Sequence, residues 1–259
     1  MNQPLDKFEK VAIEAAKAGG KILSANFASQ SHVEAKGKHD VVTATDRASE
    51  QEIINCISSH FPKHTIVAEE SGTHDNQSEY VWIIDPLDGT SNFVTGNPYF
   101  SVSIALAYKN EVNVGVVFNP ITNELYVAKK GCGAYVNGEK INVSEKSDLT
   151  DSIVTCAYAA EDETIVAGLE MIKNLALNSR KVIINFSPAL DLCNIARGRI
   201  DGIVDAGTEP EDHAAGCLIL SEAGGMVTNF DNNEWDVSKV GILAANKELH
   251  SKLRNMIHS

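Results

Sequence analysis

The chain contains no apolar run near the roughly 20 residues needed to cross a bilayer, so no membrane partner is expected. Its opening, MNQPLDKFEK, lacks the apolar core of a secretory signal, and the expected location is cytoplasmic. Basic blocks are missing too. Lys and Arg number 22 against 35 Asp and Glu, for a net charge of −13, which excludes a nucleic acid polymer as the main partner. The 5 cysteines (Cys56, Cys132, Cys156, Cys193, Cys217) form no C-x-x-C pair. A structural zinc site is therefore not expected, and buried free thiols in a reducing compartment are. P-loop and Rossmann glycine patterns are absent: Gly131-Cys132-Gly133 lacks a third glycine and reads as part of a hairpin. There is no internal repeat, low-complexity tract or flexible linker. The 259 residues are expected to form one compact domain, 1–259, with an internal division near 144–150.

What is present is a change of rhythm along the chain. Phe8, Val11, Ala12, Ala15, Ala16, Ile22 and Leu23 recur at helical spacing. TATDRASEQEIINCISSHF predicts a second helix, with Thr45 or Asp46 as N-cap and Pro62 beyond its end. HTIVAEES and EYVWIID read as strands. The stretch from Tyr99 to Ile141 reads as a mostly antiparallel meander, with turns at Lys109-Asn110, Asn119-Pro120 and Asn137-Gly138. The second half alternates. DSIVTCAY, RKVIINF, IDGIVDA and VGILAAN are predicted strands; DETIVAGLEMIKNLAL, PALDLCNIARG, EPEDHAAGCLILSEAGG and KELHSKLRNMI are predicted helices. Such a pattern predicts layers of helix and sheet.

Four acidic features carry the chemistry: Asp46 in VTATD, Glu69 and Glu70 in VAEES, Asp85 and Asp88 in DPLDGT, and Asp212 in EPEDHAAG. Each alone reads as a cap, a turn or a solvated charge. Three of them, however, fall where a predicted strand ends or a helix begins, the usual place for ligands in layered α/β proteins. Crowded carboxylates need a cation or a proton. Oxygen donors without Cys or His favour Mg²⁺ or Mn²⁺. Leu87 can add its carbonyl, Gly89 lets backbone approach a ligand, and a helix beginning near Thr90 offers free N–H groups to phosphate. Metal-assisted hydrolysis of a phosphate ester is the chemistry expected. A haloacid-dehalogenase-type aspartyl nucleophile is disfavoured: its second aspartate follows two positions later, whereas Asp85 and Asp88 are separated by Pro86 and Leu87.

Five stretches, in order along the chain, resemble the signatures of the inositol monophosphatase family: DVVTATD, AEES, WIIDPLDGTSNF, GCGAYVNGEKI and EDHAAGCLILSEAGG. The resemblance implies a five-layer αβαβα sandwich and a homodimer. It implies two to three Mg²⁺ ions, with Mn²⁺ as substitute, and lithium sensitivity. Glu69, Asp85 and the Leu87 carbonyl would hold one ion. Asp85, Asp88 and Asp212 would hold a second, and Glu69 with water a third. Thr90 and Asp46 would orient the attacking water, with Glu70 assisting, and the N–H groups of Gly89 and Thr90 would bind phosphate. The rest of the substrate would meet Asp88, Ser187, Pro188 and Asp205. The implied activity is Mg²⁺-dependent hydrolysis of a small polyol or sugar phosphate by direct attack of metal-activated water. Inositol monophosphate leads as substrate. Fructose 1,6-bisphosphate and histidinol phosphate follow, then a 3′-nucleotide; a non-catalytic metal-binding regulator is the reading from another class.

The chain also departs from the family pattern. In INFSPALDLC, Ile183 stands in place of an arginine, Phe186 of a glycine and Pro188 of an alanine. Asp205 stands where a longer glutamate is common, and Glu211 replaces a frequent tryptophan. Pro188 is read as a helix start or a changed pocket, Glu211 as a solvated first-turn acid or as added negative charge near the metals, and His213 as a packed or solvent-facing ring, not a metal ligand. Lys36 and Lys38 are expected in a polar loop within reach of incoming phosphate.

Overall fold

The computed structural model describes residues 5–27, 33–35, 41–158, 162–205, 207, 209–238 and 241–257. The loop with Lys36 and Lys38 lies outside them. The first half runs α1 (Leu5–Asn26), β1 (Val33–Ala35), β2 (Val41–Thr43), α2 (Ala44–His60), β3 (Thr65–Ala68), β4 (Gly72–His74), β5 (Tyr80–Asp88) and α3 (Thr90–Thr95). It continues through β6 (Ser101–Tyr108), β7 (Glu111–Asn119), β8 (Glu124–Lys129), β9 (Ala134–Val136) and β10 (Glu139–Ile141). The second half runs β11 (Ile153–Ala157), α4 (Asp162–Asn178), β12 (Lys181–Ile183), α5 (Pro188–Ala196), β13 (Gly202–Asp205), α6 (Pro210–Glu222), β14 (Met226–Thr228), β15 (Ile242–Ala245) and α7 (Lys247–Ile257).

Two sheets result. An 8-stranded sheet has the order β10-β9-β8-β7-β6-β5-β3-β4, and a 5-stranded sheet the order β12-β11-β13-β15-β14. The predicted meander is antiparallel from β5 to β10, and β3 joins β5 in parallel. Its hairpins turn through Lys109 and Asn110 (φ 54 and 65) and through Asn137 and Gly138 (φ 50 and 84). Paired left-handed residues give a turn whose twist matches that of the strands it joins.

The central strands β5, β6, β7, β13 and β15 are buried on both faces, and the alternation of their side chains sorts them into separate cores. Trp82 and Ile84 of β5 face α1 and α2, packing with Phe8, Ala15, Ile53 and Ile57. Ile83 points the other way, into a core shared with α5 and α6. Ile203 of β13 and Ile242 and Ala244 of β15 enter that same core from the second sheet. Their neighbours Val204, Leu243 and Ala245 pack outward against Leu175 of α4 and Leu249 and Leu253 of α7. The layers are thus α1–α2, large sheet, α5–α6, small sheet, α4–α7, the five-layer αβαβα order expected. At Gly115 of β7, an added Cβ would lie 2.7 Å from the Ala215 carbonyl, so α6 rests directly on sheet backbone. No helix among the described residues is long and apolar enough to cross a membrane.

Two expectations need correction. The N-cap of α2 is Thr43, not Thr45 or Asp46; Asp46 is the third helical residue, and its carboxylate accepts from the Thr43 N–H in a capping box. And β1, β2, β4 and β14, each 3 residues long, went unpredicted, being too short to show a period.

Candidate active site

The site begins with a defect in β5. Residues three apart in a regular strand point to opposite faces. Yet Asp85 pairs with Ser103 and Asp88 with Ser101, so Pro86 and Leu87 oppose Val102 alone. This bulge puts both aspartates on the face that Ile83 shares with α6. Proline, which cannot donate to a sheet ladder, is tolerated in an interior strand at such a place. Ser49 of α2 donates to the Pro86 carbonyl at 3.1 Å and holds the bulge from behind.

Gly89 follows at φ 95 and caps α3. An added Cβ there would lie 3.1 Å from the Tyr99 carbonyl and 3.2 Å from that of Phe186, so both conformation and space require glycine. The Thr90 hydroxyl donates to Asp46 Oδ1 at 3.2 Å and lies 3.2 Å from the Leu87 carbonyl. The other Asp46 oxygen accepts from the Thr43 N–H at 3.0 Å and from its hydroxyl. Two capped helices, α2 and α3, thereby meet at one Asp–Thr pair.

Asp212 opens α6, its Oδ2 accepting from the Glu209 N–H at 2.9 Å. Asp85 Oδ1 accepts from the Leu87 N–H at 2.8 Å. Asp88 Oδ2 accepts from Ser101 at 3.1 Å and from Ser187. Each of these carboxylates is anchored by hydrogen bonds, and Asp88 also accepts from the Leu190 backbone. Glu69 follows β3, tied by its N–H to the Ile84 carbonyl at 3.2 Å. The Glu70 N–H donates to Glu50 Oε2 at 2.8 Å.

These acids feel one another. Burial, then the charges of Glu69, Asp88 and Asp212, push the Asp85 carboxyl well above the usual range. Burial raises Asp88, against the hydrogen bonds from Ser187 and Ser101. Asp212 is raised by burial, then by Asp88, Glu69 and Asp205. Asp46 is raised by burial, and Thr43 opposes the rise. A pocket of mutually repelling, partly anchored oxygens is matched chemically by a hard dication. No group of three His, Cys, Asp or Glu among the described residues is spaced to hold a metal ion. The donors, all carboxylate and carbonyl oxygens, fit Mg²⁺ in kind.

The opposite wall comes from the second half. Ser187 caps α5 and Pro188 is its first residue, so the helix-start reading of Pro188 holds. Asp205 ends β13, fully buried, and accepts from the Gly207 N–H at 3.2 Å. His213 is buried and stands edge-on to Trp235 at 5.2 Å, the packed alternative. Glu211 departs from the solvated reading: it is half-buried, burial raises its carboxyl, and its carbonyl accepts from Ser103 at 3.5 Å.

Two buried acids escaped the sequence reading. Asp191 of α5 accepts from Tyr99 at 2.6 Å, Asn185 at 2.6 Å and Thr155 at 2.8 Å, joining four segments under the site. Glu50 is the acid that receives the Glu70 N–H. Both sit on buried helix positions; an acid between two leucines is the one available signal for Asp191, and Glu50, between Ser49 and Gln51, offers none.

Comparison with known proteins decides the family. The profile described as Inositol monophosphatase family matches residues 4–259. The chain belongs to the inositol monophosphatase family. It is 40% identical over 251 residues to the protein named Nus factor SuhB of Haemophilus influenzae, covering 95% of this chain and 94% of that one. It is 40% identical over 263 residues to Inositol monophosphatase 2 of Solanum lycopersicum, covering 98% and 99%. The solved inositol monophosphatase of Anabaena superposes with a TM-score of 0.87 at 35% identity, covering 98% of this chain and 96% of that one. As a member of this family the protein is a phosphatase, a phosphoric monoester hydrolase acting on a small-molecule ester.

Proposed function

We propose that this phosphatase hydrolyses small polyol or sugar monophosphates with Mg²⁺, and that myo-inositol phosphate is the first substrate to assay. The observation that carries the reading is the bulge in β5, which turns Asp85 and Asp88 to one face beside Asp212. The family is generally Mg²⁺-dependent. Glu69, Asp85, Asp88, Asp212 and the Leu87 carbonyl are the groups that would hold the ions. Bound there, Mg²⁺ supplies Lewis-acid activation of water and neutralises charge on the phosphoryl group.

The chain's own residues do the rest. Thr90, hydrogen-bonded to Asp46, orients the water and passes its proton to the Asp46 carboxylate. Glu70 is assigned the part of a second acceptor. The N–H groups of Gly89 and Thr90 meet the phosphate oxygens. Ser187 keeps Asp88 in position, and Pro188 and Asp205 border the alcohol. No side-chain nucleophile takes part. A homodimer in the cytoplasm belongs to the same reading, and light scattering tests the dimer. Release of inorganic phosphate from a panel of monoesters, with Mg²⁺ and with chelator, tests the activity. Chelator should abolish turnover, and equal rates in both would refute the reading.

A further inference from the structure

Phe186 adopts a left-handed backbone, φ 53, although it is not glycine, and it is 55% exposed. That conformation is unfavourable for a bulky residue and persists where its surroundings enforce it. They enforce it from both sides. On one, Asn92 Nδ2 donates to the Asn185 carbonyl at 2.6 Å, and Asn185 Nδ2 donates to Asp191 at 2.6 Å. On the other, Ser187 donates to Asp88. The Phe186 carbonyl itself packs on Gly89. The strain is therefore clamped against the groups expected to meet phosphate.

Folding gains little from the ring, which lies outside the buried cores. Its aromatic neighbour is Tyr158, edge-on at 6.4 Å and 87°. Tyr158 is seated in turn by Gly168 of α4, where a Cβ would come within 2.5 Å of its ring. The polar side chains of the loop are engaged: Asn185 with Asp191, Ser187 with Asp88. Pro188 has no N–H. What the loop exposes next to Gly89 and Ser187 is the Phe186 ring, and an aromatic ring pairs with another by offset stacking or edge contact.

We infer that Phe186, supported by Tyr158, is a specificity-determining platform for the alcohol part of the substrate and selects phosphate esters that carry an aromatic ring. This rests on the phosphate-ester reading above and ranks ring-bearing alcohols ahead of plain polyols within that class.

The test uses two non-hydrolysable probes, benzylphosphonate and methylphosphonate, titrated calorimetrically into the Mg²⁺-loaded protein. The wild type should bind the benzyl compound about 2- to 10-fold more tightly, the worth of one aromatic contact. Phe186→Gly should erase that difference with Tm unchanged or raised, since glycine suits the backbone. Tyr158→Ala should reduce it. Equal binding of both probes by the wild type overturns the inference, as does a ring preference that survives in Phe186→Gly. A variant that loses both affinities together with Tm shows a structural role and overturns it too. So does a change in oligomeric mass with unaltered affinities, which would place the ring in a subunit contact. Ring preference without Mg²⁺-dependent ester turnover would sink the proposed function and with it this inference, whereas turnover with equal binding of the two probes sinks the inference alone. Binding of neither probe sinks both.

Discussion

The crevice has two walls built by opposite means. The strand wall, from Asp85 to Thr90 with Asp212, is made of regular elements and their standard irregularities: one bulge, one glycine cap and two helix starts. The loop wall, from Asn185 to Pro188, has a strained residue tied down by side chains of remote segments, Asn92 and Asp88 among them. On the first wall local sequence sets geometry. On the second geometry is imposed from outside, so its side chains other than Ser187, which holds Asp88, can change without disturbing the acids opposite.

Asp85→Asn should break that contrast hardest. It is expected to lower kcat/KM about 10³-fold or more, the scale of losing a shared metal ligand. In chelator its Tm should hold or rise, because a buried, mutually repelling carboxylate has been neutralised. A fall in both activity and Tm would make Asp85 structural. Next comes Thr90→Val, which removes the donor to Asp46. It should lower kcat about 10²- to 10⁴-fold, the usual worth of positioned proton transfer, with KM nearly unchanged. On the other wall, Asn185→Ala removes the link to Asp191. KM should rise severalfold with kcat maintained. A fall in kcat as large as that of Thr90→Val would erase the distinction between the walls.

Gly115→Ala tests what joins them. Its Cβ meets the α6 backbone at Ala215, so it should cost about 1–3 kcal/mol, as overpacking does, in a urea titration. The smallest effect concerns stability alone. Trp82 Nε1–H donates to His64 Nδ1 at 3.1 Å, so that nitrogen carries no proton, and burial lowers the His64 pKa. A depressed folded-state pKa means the unfolded chain binds more protons. The contribution is full above pH 6.5 and is lost as pH falls through the folded value. Unfolding free energy should decline from pH 7 towards pH 5, and His64→Gln should flatten that decline.

The sequence showed most of this where the information is local. Alternation placed β5, β13 and β15, and acids next to predicted element ends marked Asp46, Asp85, Asp88 and Asp212. The bulge was not visible, because Asp85-Pro86-Leu87-Asp88 reads equally as a turn that ends the strand; pairing with Ser101 and Ser103 continues it. Thr43 was passed over as cap because Thr45 and Asp46, just after it, are equally good capping residues. Asp191 gave one local sign, an acid between two leucines, but its role was hidden because its partners Tyr99 and Thr155 lie 92 and 36 residues away. Glu211 went wrong for a related reason: its half-burial depends on how closely α6 is seated on the sheet.

The seating of α6 has a further consequence. Main chain touches main chain where Gly115 meets Ala215, and Asp212 lies on the turn of α6 just before that contact. The interval between Asp212 and the aspartates of β5 is therefore gauged by two backbones in register, with no side chain acting as a spacer. Repacking the apolar core around α5 should soften or stiffen the protein as a whole while that interval keeps its setting.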